Sequence, residues 1–592
     1  MLKRNLSLLL VFTLLLMAFA ACGSEPAETA SESLAEAGSE TAEPVEEVPS
    51  EEVQIPEAAP EQTEEAPAET PQASAVEAEP AVTYPLVEET ATLSLWNQMG
   101  PWTSMFMDTY DDHPCFQLAE EITNVHIDFT TASFLDATTQ FQLMISAGEY
   151  TDLIDGAAEM YTTGGAGAIE DEVILELSGY VAEFAPNYSA LRESDEILYK
   201  ETMLDDGSMV CFQPVRDLDN YVYPGTGLMI RQDFLDAVGM DIPETYDELE
   251  SVLTAFRDQL GVDIPLYLDP SGVLQDNWLA AGYDVALMTG SGMHQTMPFY
   301  QVDGAVHYGL MEEGFRDYIT MMHNWYTNGL ISNDFTSALT MRDSGYGELM
   351  ASDTVGVFLA ANTSLNAFNE AGKAVNPDYN LVAMADLTAE AGGQTHLGNY
   401  VSHSGTGGFC ITTACEDPEL AAQWCDFWFS EQGILIANWG VENESYTLDE
   451  NGEPHFTELM TNNPNYSLQE MTGLYCLYIS TLETTLTYDS SAVLLEQYPE
   501  SASEAVEIWT SNKDGEYELP ERLSMSMTAE ESTSFNSYYS DIETYAAETV
   551  PKLINGTISL DQMDAVQETL VSMGINSCIE LKQAALDRFN ER

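Results

Sequence analysis

The sequence contains very little positive charge: 16 lysines and arginines stand against 100 aspartates and glutamates, which gives a formal net charge of −84. Proteins that bind nucleic acid neutralise phosphates with basic side chains. Nucleic acid is therefore a poor candidate partner. The acidic excess is most simply interpreted as a source of solubility.

Long apolar runs are also lacking after the first 21 residues. The one such run, residues 6–19, follows Lys3 and Arg4 and is shorter than the roughly 20 residues of a transmembrane helix. The letters "FAAC" end this run and resemble a lipobox, at which bacteria cleave a precursor and lipidate the new N-terminal cysteine. The sequence therefore predicts a signal peptide over residues 1–21 and a lipid anchor on Cys22. The alternative is an ordinary signal peptide in which Cys22 has no role.

Aromatic residues are nearly absent between residues 22 and 89, where Glu, Ala, Pro, Ser and Thr dominate. Such a composition buries too little apolar surface to offset the entropy of ordering the chain. Prolines and like charges keep it extended. We therefore expect a disordered acidic spacer between the membrane and a folded domain, residues 90–592. That domain exceeds the size of a single hydrophobic core, so we expect at least two lobes.

Cysteines give no sign of a metal site or a full set of disulfides. With Cys22 lipidated, seven remain, and an odd number cannot all pair with one another. The spacing of Cys410, Cys415 and Cys425 matches no usual zinc pattern. We predict no metal and no cofactor. Free thiols in an exported protein indicate an anaerobic source, which we expect to be Gram-positive.

Catalytic signatures are missing as well. The sequence contains no Gly-x-Ser-x-Gly and no His-Glu-x-x-His, and the glycine-rich stretches "GGAGAIE" and "GSGMHQ" complete neither a dinucleotide fingerprint nor a P-loop. The sequence therefore predicts a protein that is not an enzyme. A pair of glycosidase carboxylates has no such signature, so an exported polysaccharide hydrolase stays as an alternative.

Strand and helix patterns alternate through the folded part, from "ATLSLW" and "CFQLAEEITN" to "NVHIDFTTA", which predicts an α/β lobe with a mainly parallel sheet. Thr245 and Glu248 form a capping box for a helix that Gly261 ends. Asp417 caps a second helix, with Pro418 in the first position, and we expect Gly433 to end it. Three tryptophans at helical spacing are assigned to the core: Trp325, Trp424 and Trp428.

Five stretches, taken in order, resemble blocks of a known family. They are "SAGEYTDLIDG", "IRQDFLDAVGMDIPETYDELESVLTAF", "FYQVDGAVHYG…YITMMHNWYTNGLISNDF", "CEDPELAAQWCDFWFSEQGILIANWGVENESYTLDENGEP" and "MGINSCIELKQAALDRF". Behind a lipobox, they make the chain similar to the extracellular solute-binding lipoproteins of bacterial ABC importers. The nearest group is carbohydrate-binding and maltose-binding-like, in the large branch linked to oligosaccharide uptake.

The resemblance implies a periplasmic-binding-protein-like fold of two α/β lobes with the ligand cleft between them. We expect lobe 1 at about 90–215 and 360–402 with part of the C-terminal region, and lobe 2 at about 225–355 and 408–470. Candidate crossing segments are "FQPVRDLDNYVYPG", the run around "DTVGVFL" and "LGNYVSHSGTGG". Glycines suit such hinges because a hinge must absorb backbone rotation.

Two features depart from the family pattern. The usual Gly-Ile-Glu-Gly reads Gly440-Val441-Glu442-Asn443 here, and asparagine tolerates the left-handed backbone that the second glycine supplies. Some relatives carry a calcium loop after the capping-box helix, but this region reads only "QLGVDIPLYLDP". Calcium is therefore not carried over.

Sugar sites combine flat aromatic surfaces with a few hydrogen-bonding groups. By resemblance the loop around Trp439 faces the cleft, so Trp439 is assigned as a stacking platform, with a core position as the alternative. Glu442 either contacts the ligand or anchors the turn. Trp96 ends the first strand, where doubly wound sheets place ligands. The full set of predicted ligand contacts is Trp439, Glu442, Tyr446, Trp96, Trp102, Trp278, Asp276, Asn362, Asn399 and Tyr400.

The sequence thus predicts a monomeric binding protein that captures a carbohydrate, expected to be an oligosaccharide, and hands it to ABC permease subunits. It is expected at the extracytoplasmic face of the cell membrane, held there by its lipid alone. The alternatives are the hydrolase and a surface glycan sensor or adhesin. The sugar is not specified by the sequence, and Arg216, Arg231 and Arg342 are the positions that would hold an anionic one.

Overall fold

The computed structural model describes residues 82–133, 136–216, 226–269, 279–287, 298–340, 343, 345–398, 402–405, 407–463, 466, 468–477, 500–520 and 525–592. The chain divides into two compact units, Met1–Glu77 and Ala78–Arg592, and every described residue belongs to the second. The signal peptide, Cys22 and most of the spacer lie outside the described residues. Among the described helices, none combines the length and the apolar character that crossing a bilayer requires.

Two four-stranded sheets and two hairpins are formed by the described residues. In chain order the strands are β1 (Ala91–Met99), β2 (Val125–Ser133), β3 (Leu153–Asp155), β4 (Thr226–Arg231), β5 (Ile264–Leu266), β6 (Phe299–Val302), β7 (Ala305–Tyr308), β8 (Val355–Ala361), β9 (Leu381–Ala383), β10 (Phe409–Ile411), β11 (Tyr446–Leu448) and β12 (Pro454–Phe456).

The first sheet has the order β10-β3-β1-β2. Strands β1 and β2 run parallel, from Ala91 opposite Val125 to Met99 opposite Ser133. Strand β3 is parallel to β1, and β10 is antiparallel to β3. The predicted mainly parallel sheet is confirmed here.

The second sheet, β5-β8-β4-β9, is mixed. Strand β5 is parallel to β8, whereas β4 is antiparallel to both β8 and β9. A mainly parallel sheet is therefore the wrong expectation for this half of the protein. Strand β4 is reached through the first crossing segment and not through a helix packed on its own sheet. The alternation of strands and helices therefore does not determine its direction.

Helices cover the sheets and form the C-terminal part. In chain order they are α1 (Pro114–Thr123), α2 (Ala137–Ala147), α3 (Ala157–Met160), α4 (Gly164–Glu170), α5 (Ser178–Phe184), α6 (Pro186–Glu193), α7 (Glu196–Glu201), α8 (Gln232–Val238), α9 (Tyr246–Ala255), α10 (Glu313–Thr327), α11 (Tyr346–Met350), α12 (Leu365–Val375), α13 (Pro418–Phe427), α14 (Glu431–Trp439), α15 (Glu458–Thr461), α16 (Leu468–Tyr475), α17 (Glu500–Thr510), α18 (Ala529–Ile554), α19 (Met563–Met573) and α20 (Ile575–Glu591).

The capping box is confirmed at the start of α9, where the Thr245 side chain accepts from the Glu248 backbone and Glu248 reaches back to the cap. This helix continues as a π-turn to Gly261, which has the left-handed φ of 73°. Asp417 caps α13 and Pro418 occupies the first position of the helix, as predicted.

The end of α13 differs from the prediction. The helix stops at Phe427, and the Ser430 side chain accepts a hydrogen bond from the Gly433 backbone to begin a new helix, α14. Gly433 therefore lies inside α14. A Cβ at Gly433 would lie 2.1 Å from the carbonyl oxygen of Phe427, so the glycine permits the close approach of two successive helices.

Each sheet packs between two hydrophobic clusters, of which we call the larger its core. The first core joins β1–β3 and β10 to helices including α1, α6, α13 and α14. The second core joins β4, β5 and β8 to α8–α10 and to the C-terminal helices α18–α20. The three tryptophans assigned to the core are buried, with 0% of their surface exposed: Trp325, Trp424 and Trp428.

The division of the chain between the lobes differs from the expectation. Strand β10 pairs with β3, and α13 and α14 pack in the first core, so residues 408–470 do not belong with the second sheet. Strand β9 pairs with β4, so most of 360–402 does. We therefore define the first lobe as the described residues of 82–216 and 402–477, and the second lobe as those of 226–398 and 500–592. The family-like blocks give the order of elements but not the lobe to which each belongs.

Two of the three candidate crossings link these lobes. The chain leaves the first lobe after residue 216, returns to it between residues 398 and 402, and leaves it again between residues 477 and 500; residues 217–225, 399–401, 406 and 478–499 lie outside the described residues. The third candidate, around "DTVGVFL", is not a crossing, because it forms β8 within the second sheet.

The seven cysteines after Cys22 are all described, and all are free thiols, six of them buried. Cys115, for example, donates from Sγ to the carbonyl of Tyr475 at 2.9 Å. Burial raises the pKa of Cys415, the most accessible of the seven, to about 11, so it stays a neutral thiol.

Candidate ligand-binding site between the lobes

The carboxyl ends of β1, β2 and β3 meet at one edge of the first sheet because these strands are parallel. Asn97 lies opposite Thr131 in the β1–β2 register, and Thr131 Oγ1 donates to Asn97 Oδ1 at 3.0 Å. Asp155 is the last residue of β3. Asn97 and Asp155 are both buried, at 2% and 3% exposure. An amide, a hydroxyl and a carboxylate therefore lie together at this edge, and the amide and the carboxylate are covered in this conformation.

A small cavity lies between this part of the first lobe and the C-terminal helices. It has a volume of about 50 Å³. Its walls come from α3, α4 and residues 204–210 on one side, and from residues 525–536 and 582 on the other. The polar lining groups are Ser526, Ser532, Asn536 and Lys582, and the apolar ones include Val210, Met525, Met527 and Phe535. Helix α3, which contributes Ala158 to the first-lobe wall, begins two residues after Asp155, the last residue of β3.

Tyr161, directly after α3, carries a hydroxyl that bonds within the first lobe. Its hydroxyl donates to Asp171 at 2.7 Å. Burial, together with this hydrogen bond, raises the pKa of Tyr161 to about 12. The phenol therefore stays protonated and neutral.

The two crossing segments are paired with each other where the structure describes them. Val215 and Ser404 form an antiparallel bridge, Gly405 N donates to Pro214 O at 2.8 Å, and Arg216 N donates to His403 O at 2.9 Å. Hinge strands that are hydrogen-bonded to each other turn as one body.

A buried carboxylate at the end of α7 fixes these crossings to the first lobe. Glu201, 1% exposed, accepts from Ser402 Oγ and from Ser404 N, both at 2.8 Å, and from Ser404 Oγ at 3.1 Å. Ser402 and Ser404, at the first-lobe end of the return crossing, therefore move with the first lobe. Any rotation of one lobe against the other must take place in the crossing residues that lie nearer the second lobe.

Helix α20 reaches from the second core to the first lobe. Arg592 Nε donates to Asp205 Oδ1 at 3.0 Å, and its Nη1 donates to the carbonyl of Lys200 at 2.8 Å. Arg588 also pairs with Asp205 and, through Nη2, with Glu531 at 2.7 Å. The network around Asp205 therefore connects the two lobes through side chains, close to the crossings.

Trp439 lies in a hydrophobic cluster and not on an open surface. It is 2% exposed, and its ring centroid is 4.7 Å from that of Phe456. Tyr446, 3% exposed, and Tyr475 belong to the same cluster. In this conformation Trp439 offers no free face, which favours the core alternative; its contact with a ligand stays a prediction.

The turn after Trp439 is held by Ser445. Its Oγ donates to Trp439 O at 2.6 Å and accepts from Val441 N at 2.7 Å. Asn443 has φ 64°, the left-handed conformation expected where the family has glycine. Glu442 is exposed, and the bonds that brace this turn come from Ser445, which the sequence did not single out.

The other predicted contacts fall into three groups. Trp96 is 2% exposed and packs against Phe141, with 5.8 Å between ring centroids. Trp102, half-buried, follows β1, and Asn362, 6% exposed, follows β8. The predicted contacts that lie outside the described residues are Trp278, Asp276, Asn399 and Tyr400.

Trp102 is thus the one described tryptophan with substantial exposure, and it lies just beyond the strand-end edge. Asn97, Thr131 and Asp155 at that edge were missed, although the rule that ligands bind at strand ends would have found them. Asn536 and Lys582 carry no local sequence signal, because they reach the cavity from helices hundreds of residues away.

One group of potential metal ligands occurs among the described residues: His396, Asp514 and Glu516, with ligand atoms within 4.8 Å of one another. His396 Nδ1 lies 3.0 Å from both carboxylate oxygens of Asp514, and Tyr517 packs on its ring. A hydrogen-bonded His–Asp pair accounts for this geometry.

Two α/β lobes, joined by paired crossings and separated by a polar strand-end edge and a cavity, define a two-lobed binding protein. The chain belongs to the bacterial extracellular solute-binding protein family, whose model matches residues 116–439.

Individual relatives are distant. The chain is 23% identical over 380 residues to lipoprotein LipO of Bacillus subtilis (strain 168), covering 62% of this chain and 69% of LipO. It is 24% identical over 379 residues to the fructooligosaccharide ABC transporter substrate-binding protein FusA of Streptococcus pneumoniae, covering 61% and 65%. The matches thus span about two thirds of these relatives.

Solved structures are similar over nearly the whole folded chain. An extracellular solute-binding protein of Bifidobacterium longum subsp. infantis matches with a TM-score of 0.69 and 17% identity, covering 84% of this chain and 98% of that one. The alginate-binding protein AlgQ2 matches with a TM-score of 0.64 and 21% identity, covering 86% and 100%. The two-lobed fold expected from the sequence is confirmed.

Proposed function

We propose that this protein is the lipid-anchored capturing subunit of an ABC importer, which binds a carbohydrate of oligosaccharide size and delivers it to the permease. The observation that carries the proposal is the strand-end edge of the first sheet, where Asn97, Thr131 and Asp155 lie near the ends of neighbouring parallel strands and the half-buried Trp102 follows β1 by three residues. FusA, a relative with that overall fold, is a fructooligosaccharide-binding protein by name.

This combination of groups suits a sugar. The apolar C–H face of a pyranose or furanose ring stacks on an aromatic surface, and its hydroxyls donate to and accept from amides, hydroxyls and carboxylates. Trp102 supplies the flat surface, while Asn97, Thr131 and Asp155 supply both kinds of hydrogen-bonding partner.

Capture requires the lobes to move. A cavity of about 50 Å³ has room for a few water molecules, whereas a bound oligosaccharide needs a cleft of roughly 300–1,000 Å³. The return crossing ends at Gly407 and Gly408, with φ of 83° and 112°, and Gly398 precedes it with φ of 84°. Gly398 lies on the second-lobe side of the residues that Glu201 fixes to the first lobe, so backbone rotation between the lobes costs least there.

The anchor completes the proposal. Cys22 carries the lipid and the acidic spacer keeps the binding domain within reach of the permease on the outer face of the membrane. Cys22→Ala should abolish lipid labelling and release the protein or leave its precursor uncleaved. Unchanged labelling would contradict the lipoprotein assignment.

Titration calorimetry and thermal unfolding with a panel of oligosaccharides test the central proposal. A sugar that binds only the folded state raises the melting temperature. Trp102→Ala should weaken binding about 10- to 100-fold, by analogy with stacking on aromatic side chains. Val375→Ala, at a position 69% exposed on the end of α12, is the control and should leave affinity unchanged.

Two results would contradict the proposal. Binding of no sugar by the folded protein would remove the carbohydrate assignment. Release of new reducing ends from a bound oligosaccharide would favour the hydrolase alternative.

A further inference from the structure

Positive charge is distributed very unevenly between the lobes. The sequence has no lysine or arginine from residue 5 to residue 191, and none from residue 374 to residue 512. The two segments of the first lobe therefore contain only Arg192, Lys200 and Arg216. The whole strand-end edge, with Asn97, Thr131 and Asp155, comes from a stretch without a single basic residue.

The three cations of the first lobe are engaged within it. Arg192, 6% exposed, donates from Nε to Thr202 Oγ1 at 2.6 Å and lies 4.9 Å from the ring of Tyr199. Arg216, also 6% exposed, donates from Nη1 to the carbonyl of Ser402 at 3.1 Å. Lys200 Nζ lies 3.5 Å from Glu196 on the same helix.

The second lobe buries its central cations against carboxylates. The Arg231 side chain is 0% exposed, bonds to Asp233 at 2.7 Å and Asp353 at 2.9 Å, and lies between two aromatic rings. The Lys513 side chain is also 0% exposed, with Nζ 2.9 Å from Asp386. Arg231 and Arg216, two of the three arginines that would hold an anionic ligand, are thus committed to the fold.

The remaining described cations lie on helices. Arg588 and Arg592 pair with Asp205. Three surface pairs join a basic side chain to a nearby carboxylate: Arg257–Asp258, Arg316–Asp564 and Lys552–Glu548. Lys373 is exposed in the last turn of α12.

Lys582 is the described cation on the cavity wall. It is 7% exposed, and its Nζ lies 5.4 Å from the ring of Phe535. One largely buried ammonium therefore lines this cavity, whose first-lobe wall consists of small and apolar residues: Ala158, Gly164, Gly165, Ala166, Leu204 and Val210. Arg342 and Arg522 lie outside the described residues.

Resting on the proposed function, we infer that the ligand is an uncharged oligosaccharide and that uronic-acid or sulfated sugars are rejected. A carboxylate that leaves water needs a cation or several donors in return, and a like charge opposite it is unfavourable. Sugar hydroxyls, in contrast, donate to a carboxylate such as Asp155. An edge that carries a carboxylate thus attracts sugar hydroxyls and repels anionic sugars, and both effects favour an uncharged ligand.

Matched pairs of sugars test this inference on the full folded domain. β-1,4-Mannotriose and β-1,4-trimannuronate differ only at C6, as do α-1,4-galactotriose and α-1,4-trigalacturonate, and pooled neutral and pooled uronate oligosaccharides extend the panel. Calorimetry should show binding in the neutral class and affinity at least about 100-fold lower for the matched uronate. Neutral binding should change less than about twofold between roughly 20 and 500 mM NaCl, because no ion pair is screened.

The outcomes separate the inference from the proposal beneath it. Comparable binding of a uronate would overturn the inference and leave the carbohydrate assignment standing. Lys582→Gln, Arg342→Gln and Arg522→Gln would then show which cation holds it. If neither class binds while the protein is folded, the proposed function itself fails, and the inference falls with it.

Discussion

Trp102 and Trp439 lie on either side of the same short helix, α16, but expose very different amounts of surface. Trp102 is half-buried and packs so closely on Gly473 of α16 that a Cβ there would lie 2.5 Å from the Trp102 Cβ. Met471 and Tyr475 of the same helix belong to the cluster of Trp439. Trp439 thus supports the helix on which Trp102 rests.

Trp439→Ala should therefore destabilise the protein. Removing a buried tryptophan costs about 3–5 kcal/mol of unfolding free energy, because a cavity is left in the cluster. Trp102→Ala is the matched variant. Compared with Trp439→Ala, it should lower the unfolding free energy less and weaken ligand binding more. Urea unfolding and calorimetry on both variants check this. A loss of affinity at unchanged stability in Trp439→Ala would restore the platform interpretation.

The sequence does not specify where a strand ends or the direction of its side chains. Trp96 was expected to end the first strand, but β1 continues to Met99, the Trp96 ring packs on Phe141, and the next residue, Asn97, carries the polar group of the edge. The left-handed Asn443 was predictable from its place in the turn, whereas the bracing by Ser445 depends on the three-dimensional path of the chain. Residues brought in by α18 and α20 had no local signal at all.

At the scale of elements, Gly433 shows how one residue separates two helices. The Gly433 backbone N–H donates to the N-cap side chain of Ser430, and the absence of a Cβ leaves space for the carbonyl of Phe427. A glycine that sequence patterns favour as a helix end here makes a helix–helix contact instead. The local sequence does not distinguish these two uses.

Gly433→Ala should lower stability by about 1–3 kcal/mol or more, because a methyl group would overlap backbone that cannot move freely. Gly179, exposed in α5 with no atom within 4 Å of the position that a Cβ would take, is the matched control. Gly179→Ala should instead raise stability by about 0.5–1 kcal/mol. Thermal and urea unfolding of the two variants measure these changes in unfolding free energy. If both substitutions lowered it, or both raised it, the close contact at Gly433 would not be the cause.

Helices α6 and α13 are joined by a buried carboxylate that is sensitive to pH. Asp426 accepts from the Tyr188 backbone at 2.8 Å and from Asn187 Nδ2 at 2.7 Å. Burial nevertheless raises the pKa of Asp426 to about 6. The folded state therefore holds a proton on Asp426 that the unfolded state releases near pH 4.

A raised carboxyl pKa contributes stability below the unfolded pKa, and this contribution is lost as pH rises through about 6. From pH 4 to pH 7 the wild type should lose about 2–3 kcal/mol relative to Asp426→Asn, which cannot titrate. Urea unfolding of both proteins across this range measures the difference. Parallel pH profiles would show that Asp426 titrates normally in the folded protein.

At the scale of the whole molecule, the two-lobed architecture was predictable from the size of the domain and the family-like blocks, but the assignment of segments to lobes was not. Strand β10 is only Phe409–Ile411, and its partner β3 lies more than 250 residues earlier. No local pattern specifies such a pairing. The C-terminal helices α18–α20 likewise pack in the second core, and this depends on long-range contacts and not on a local pattern.

The two lobes are connected by more than their crossings. Arg592, whose side chain is 2% exposed, holds Asp205 and two carbonyl groups of the first lobe, while its helix α20 is part of the second core. Asp205 lies four residues after Glu201, the carboxylate that fixes the crossings. The Asp205 network is therefore placed to bias how far the lobes separate.

Asp205→Asn should weaken this bias. Hydrogen bonds to a charged partner contribute about 1.5–3 kcal/mol, so the ratio of lobe arrangements should shift by about 10- to 100-fold. Pulsed EPR distances between one label on each lobe should broaden, and small-angle scattering should show a changed radius of gyration. Asp564→Asn removes the Arg316 pair, which joins α10 and α19 within the second lobe, and should leave the distances unchanged. Equal distance distributions in wild type and Asp205→Asn would mean that the Asp205 network does not influence the arrangement of the lobes.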